Sequence, residues 1–111
     1  MEEKFTRLWK IAIRKFTKEY PLRGGDGLSI NTPVKIPKFG ERNSVEVQRK
    51  LFELVENKST MIIFKNTQAI LNHSNDHDLD IELLRIEVVK LNSSDKLFIT
   101  LYFDITDFLK K

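Results

Sequence analysis

Apolar residues recur at helical spacing at the start of the chain. Phe5, Leu8, Trp9, Ala12, Ile13, Phe16 and Tyr20 fall on one side of a helix. The pattern predicts a helix over 3–19, stopped by Pro21, because the residue before a proline avoids helical geometry. A second stripe, Val47, Leu51, Leu54 and Val55, extended by Val45 and Phe52, predicts a helix over 45–57. Asn43 or Ser44 supplies its N-cap, and Asn43 with Glu46 three residues on resembles a capping box.

After Asn57 the period changes. The run "STMIIFKN" is β-rich and reads as a buried strand. The "TQAILNHSN" that follows fits either a single helical turn or a continuation of that strand. "DLDIELLRIEVVKL" alternates from Leu79 to Leu83, then changes parity at Leu84, Ile86 and Val88, which points to a β-bulge in this segment. Ile81, Leu84, Val88 and Leu91 also fit a helix. Strand is preferred because "KLFITLYFDI" follows the polar loop "NSSD", and two β-rich runs joined so briefly form a hairpin. The chain closes on a short turn, "TDFLKK". Helices first and strands later imply an α+β fold. Two N-terminal amphipathic helices pack on one face of a mostly antiparallel sheet of three or more strands from the C-terminal half, 60–104, in a single domain over 1–111.

Between the helices lies a connection over 20–42 that holds all three prolines and all four glycines of the chain. It is much longer than usual. Leu28, Ile30, Val34, Ile36 and Phe39 punctuate it, so it reads as an extended segment packed at the sheet edge, where prolines discourage further pairing. "RGGDG" makes a tight turn. A binding loop is the alternative. Phosphate-loop and dinucleotide motifs are absent from it.

Composition narrows the function classes. The chain has 111 residues and no cysteine, which excludes disulfides, thiol chemistry and cysteine-based zinc sites. No apolar run approaches the roughly 18 residues of a membrane span, and "MEEKFTRLWK" lacks the apolar core of a signal peptide. The expectation is a cytoplasmic protein without membrane contact. Abundant Lys, Ile, Asn and Phe with little alanine suggest an AT-rich genome, bacterial or phage.

The net charge is +3, and its distribution is uneven. Residues 1–55 carry twelve basic and seven acidic side chains, and residues 56–111 carry seven and nine. On the first helix Lys4, Arg7, Lys10, Arg14, Lys15 and Lys18 cover the side opposite the apolar stripe, with Ile11 among them. Only Glu3 with Arg7 and Lys15 with Glu19 offer pairing along the helix, whereas the second helix can pair Glu46 with Lys50 and Arg49 with Glu53. The residues Lys4, Arg7, Lys10, Ile11, Arg14 and Lys18 form a candidate contact for an acidic protein or for nucleic-acid phosphates. A plain solvated face is the competing reading.

A second candidate lies in "KLFITLYFD". Leu97, Ile99, Leu101 and Phe103 point to the core, so Phe98, Thr100 and Tyr102 point away and form a candidate interface, for another protein or for a second copy in a homodimer. Aromatics two apart can also stack nucleic-acid bases, but the strand order of RNA-recognition sheets is absent. "NHSNDHDLD" offers His73, His77, Asp76, Asp78 and Asp80. Its match to a calcium loop fails at Ile81, where the turn requires glycine, and Asn, Ser and Asp disfavour a helical zinc pair. No metal, cofactor or catalytic motif is therefore assigned, and a non-enzymatic protein-binding module ranks ahead of a nucleic-acid-binding protein.

Overall fold

In the computed structural model, which describes residues 1–74 and 78–109, the chain forms three helices and a five-stranded mixed sheet. Helix α1 spans Glu2–Phe16 and buries Phe5, Trp9, Ala12 and Phe16. It ends earlier than its periodicity predicts. Thr17 to Tyr20 continue as turns that keep Tyr20 buried. Helix α2 spans Ser44–Glu56 and begins with the expected cap. Asn43 Oδ1 accepts from the Glu46 N–H at 2.9 Å, and Asn43 Nδ2 donates to Glu46 Oε1 at 3.0 Å. Its buried face is Val47, Gln48, Leu51, Phe52 and Val55, whereas Val45 is exposed.

The connection contributes two short strands, β1 at Arg23–Gly24 and β2 at Val34–Lys35. The C-terminal half gives β3 at Met61–Ser74, β4 at Asp78–Lys90 and β5 at Lys96–Asp104, and then helix α3 at Thr106–Leu109. The spatial order is β1-β2-β5-β4-β3. All neighbours are antiparallel except β2 and β5, which run parallel, Val34 beside Phe103 and Lys35 beside Asp104. The sheet therefore extends beyond the C-terminal half, with the connection as one edge.

Trp9 of α1 and Tyr20, in the turns after it, pin that connection. Trp9 Nε1 donates to the Asp26 carbonyl at 2.7 Å. The Tyr20 hydroxyl donates to the Pro37 carbonyl and accepts from the Phe39 N–H at 3.1 Å. Between the pins Val34 and Ile36 are fully buried, while Ile30 is half-buried and Phe39 is exposed apart from its edge contact with the Tyr20 ring. Gly24 sits at φ +78°, and a Cβ there would lie 2.4 Å from the Pro33 carbonyl oxygen, so only glycine fits. The breakers are concentrated here because this edge must turn tightly and pair only briefly.

In the strand region the strands follow the sequence expectation and the bulge does not. "TQAILN" belongs to β3 and makes no helical turn. Residues 78–90 are strand, paired with β5 in unbroken register from Ile81 opposite Asp104 to Val89 opposite Lys96. The bulge is on β3 instead, where the register shifts between Lys65 and Thr67 and leaves Asn66 as the extra residue. The parity change in β4 reflects two apolar faces. Leu84, Ile86 and Val88 are buried with Leu101 and Phe103, while Ile81 is buried outside that cluster. Asn92, in the turn after β4, takes φ 60°, a conformation that asparagine tolerates.

Trp9 marks the centre of the core. Its ring stacks on Phe5, meets Phe52 of α2 at 5.8 Å and meets Phe103 of β5 edge-on at 6.1 Å. Buried polar groups near the core are satisfied. Glu82 accepts from Gln48, and also from Gln68 at 2.5 Å. Asp104 accepts from the Thr106 N–H at 3.0 Å, and Thr106 Oγ1 accepts from the Asp80 N–H at 3.0 Å, which ties the start of α3 to β4. Among the described residues no helix is long and apolar enough to cross a membrane.

Candidate functional site

Burial of Phe5, Trp9, Ala12 and Phe16 turns the remaining side of α1 to water. Lys4, Arg7, Lys10, Ile11, Arg14 and Lys18 are all exposed, as their spacing predicts. They line more than one hollow. Arg7, Lys10, Ile11 and Arg14 line a shallow depression of about 760 Å³, with Glu2, Glu3 and Thr6 at its N-terminal side. Lys18 lines a different groove of about 550 Å³ between the helices, together with Lys15, Arg42 and Lys50. Lys4 lies in neither lining.

The pairing of these charges also differs from the sequence reading. Lys10 Nζ lies 3.9 Å from Asp26 Oδ2, across to the connection and not along the helix. Asp26 is held there by its own turn, since its Oδ1 accepts from the Leu28 N–H at 3.0 Å. On α2 the ion pair is Lys50 with Glu53 at 3.6 Å, in place of the two expected pairs. Such exposed pairs contribute little to stability. Arg42 is drawn over the Phe16 ring at 5.9 Å, which gives the second groove an aromatic floor beneath its cations.

The outer face of the sheet carries the second candidate. Phe98, Thr100 and Tyr102 point away from the core, as alternation predicts, and Phe98 is 50% exposed. Register adds residues that the sequence reading missed. Phe64 of β3 and Phe98 of β5 both stand opposite Glu87 of β4, so a row of Phe64, Glu87 and Phe98 crosses the sheet. Phe64 is also 50% exposed. The Arg85 guanidinium lies 5.5 Å from the centre of the Phe98 ring, and Lys96 Nζ lies 3.6 Å from Glu87 Oε1. Phe64 could have been found only from the pairing of β3 with β4, which a single sequence does not disclose.

The two candidates adjoin. Glu2 and Thr6, at the rim of the α1 depression, also line a hollow of about 290 Å³ with Leu28, Phe98, Thr100 and Tyr102. Gly27 carries the connection past this hollow and accepts the Tyr102 N–H at 2.8 Å. A partner reaching from Phe98 toward the N-terminus of α1 would meet apolar and charged groups in one continuous surface.

Asp78 and Asp80 lie on β4, while the His73 side chain and residues 75–77, with Asp76 and His77, lie outside the described residues. Among the described residues no group of three metal-ligating side chains comes together. No family model, curated protein or solved structure matches this chain.

Proposed function

We propose that this chain is a small non-catalytic module that binds another protein, as a regulator, inhibitor or immunity or accessory protein of a bacterial or phage cytoplasm. The observation that carries this reading is the Phe64, Glu87 and Phe98 row with Arg85 over Phe98. Exposed aromatics beside arginine are the composition of a binding surface more than of a solvated one. Burying each ring contributes about 1.5 to 3 kcal/mol, from which the cost of association is subtracted. Both N-terminal helices covering the inner face would leave this outer face for the partner. Glu82, one of two buried carboxylates among the described residues, supports a non-catalytic reading because both of its oxygens are taken by glutamine amides.

The test is affinity capture from the source cell with three forms of the protein. A protein retained by the wild type and by Arg7→Glu/Arg14→Glu, but lost from Phe64→Lys/Phe98→Lys, supports the outer face. Equal retention by all three forms discards it.

A nucleic-acid-binding role is the second reading. It is favoured by α1, where among the described residues Lys10 is the one member of the basic stripe with an ion-pair partner. Titration with random DNA and RNA at low and physiological salt separates the two readings. Steeply salt-dependent binding, weakened for every sequence alike by reversing Arg7 and Arg14, would favour nucleic acid.

A further inference from the structure

Strand β3 is the outermost strand of the sheet, and its free edge changes character at the Asn66 bulge. Before the bulge the edge is occupied. The Met61 N–H donates to Ser59 Oγ at 3.1 Å, and the Ile63 N–H donates to Glu56 Oε2 of α2 at 2.9 Å. Lys65 then places a charge on it, as protected edges do. Beyond the bulge the six residues Thr67 to Asn72 carry no charge, proline or glycine. They are exposed, with Ile70 at 53% and Leu71 at 38%.

The direction of the backbone groups follows from the register. The Tyr102 N–H points away from β4, to Gly27. Its register partner Leu83 therefore directs its own groups toward β3 and binds Ala69, which stands opposite. Alternation then turns the N–H and C=O of Gln68, Ile70 and Asn72 outward. Among the described residues none of these outward groups has a hydrogen-bond partner.

We infer that this edge pairs with the same edge of a second copy, antiparallel, about a two-fold axis at Ile70. That register sets Ile70 against its equivalent and Gln68 against Asn72. Each of these pairs joins two outward-facing residues, so every free donor meets a free acceptor. On the outer face Ala69 meets Leu71, and on the inner face the two Ile70 side chains meet, so both exposed apolar residues are covered. The segment brings no like charges together, although the chain as a whole is +3. A partner of unrelated sequence could satisfy the backbone, but the second copy matches in side chains as well, because an isologous contact needs one self-complementary edge. The two five-stranded sheets join into one, and the outer faces carrying Phe64 and Phe98 continue across the junction. This inference does not rest on the protein-binding role proposed above.

The test combines mass and hydrogen exchange. Light scattering across a hundredfold concentration range is expected to show the mass of two chains at the top of the range. Amide exchange at Gln68, Ile70 and Asn72 is expected to slow as the dimer fills. Ile70→Pro removes an outward N–H that the monomer does not use, and Ile70→Lys places charge on charge at the axis. Both should be monomeric at every concentration with circular dichroism unchanged, whereas Phe98→Lys should still dimerise. A constant monomer mass for the wild type overturns the inference. So does a dimer that survives either Ile70 change, or one in which those three amides exchange as fast as in the monomer.

Discussion

At one edge of the sheet, β1 and β2 are two residues each, bounded by Pro33 and Pro37 and closed by glycines at φ +78° and +77°. At the other, β3 runs for 14 residues and is exposed through most of its length. At the short edge β1 itself is exposed, but the segment beside it is buried. Val34 and Ile36 contribute fully covered side chains, and Trp9 and Tyr20 hold the backbone on either side. Regular pairing and stability are thus separable. The irregular edge is fixed by side-chain burial and two hydrogen-bonded aromatics, while the regular edge is held mainly by its ladder to β4. An edge of the first kind resists further pairing, and one of the second kind invites it.

The largest break in this comparison is expected at Ile36. Ile36→Ala removes a fully buried side chain, and its N–H bond to the Asp104 carbonyl at 3.0 Å leaves the backbone little room to close the cavity. The cost should be about 2 to 4 kcal/mol in urea unfolding. A loss below about 0.5 kcal/mol, the usual scale for surface changes, would show that the connection only rests on the sheet.

How much of this was legible in the sequence depends on whether the determining contacts were local. Helix α2 and its Asn43 cap were readable because cap and stripe are neighbours in the chain. The outward direction of Phe98 was readable from alternation alone. Burial of Val34 and Ile36 was suggested by their spacing, but parallel pairing with β5 was not, since Val34 and Phe103 are far apart in sequence. The parity change within residues 79–91 points to a bulge there, yet that strand keeps unbroken register with β5. Both faces of β4 carry apolar residues, so its parity says nothing about register, and the real bulge hides at a polar asparagine. The basic stripe of α1 was legible as exposure, but its division between two grooves, and the Lys10 contact with Asp26, needed the packing of α2 and the connection.

A smaller effect is expected at the second pin. Tyr20→Phe keeps the ring against Phe16 and Phe39 and deletes the hydroxyl that serves Pro37 and Phe39. At neutral pH the cost should be about 1 kcal/mol. Burial raises the Tyr20 pKa above its ordinary value of 10.0, opposed by the Phe39 N–H and Arg42 and reinforced by Asp107. The native state therefore favours the neutral phenol. Its contribution is fully present below pH 10 and is lost as pH rises through the folded pKa. Unfolding profiles should show the wild type losing an alkaline component that Tyr20→Phe lacks. Parallel profiles above pH 10 would mean that the hydroxyl is not buried and that Trp9 is the one hydrogen-bonded aromatic holding this edge.

The smallest effect is expected at the opposite edge. In dilute solution, where two copies do not meet, Ile70→Lys should change stability by no more than about 0.5 kcal/mol, because the side chain already lies in water and its backbone groups face outward. The bonds between β3 and β4 are untouched, since the neighbours Ala69 and Leu71 supply them. The matching experiment raises the concentration. Any binding confined to the native state adds apparent stability by mass action, so the wild type should gain stability with concentration and Ile70→Lys should not. Equal behaviour of the two proteins at every concentration would leave β3 an edge that water alone covers. A large loss in dilute solution would show instead that Ile70 is packed within one chain, and the contrast between the two edges would disappear.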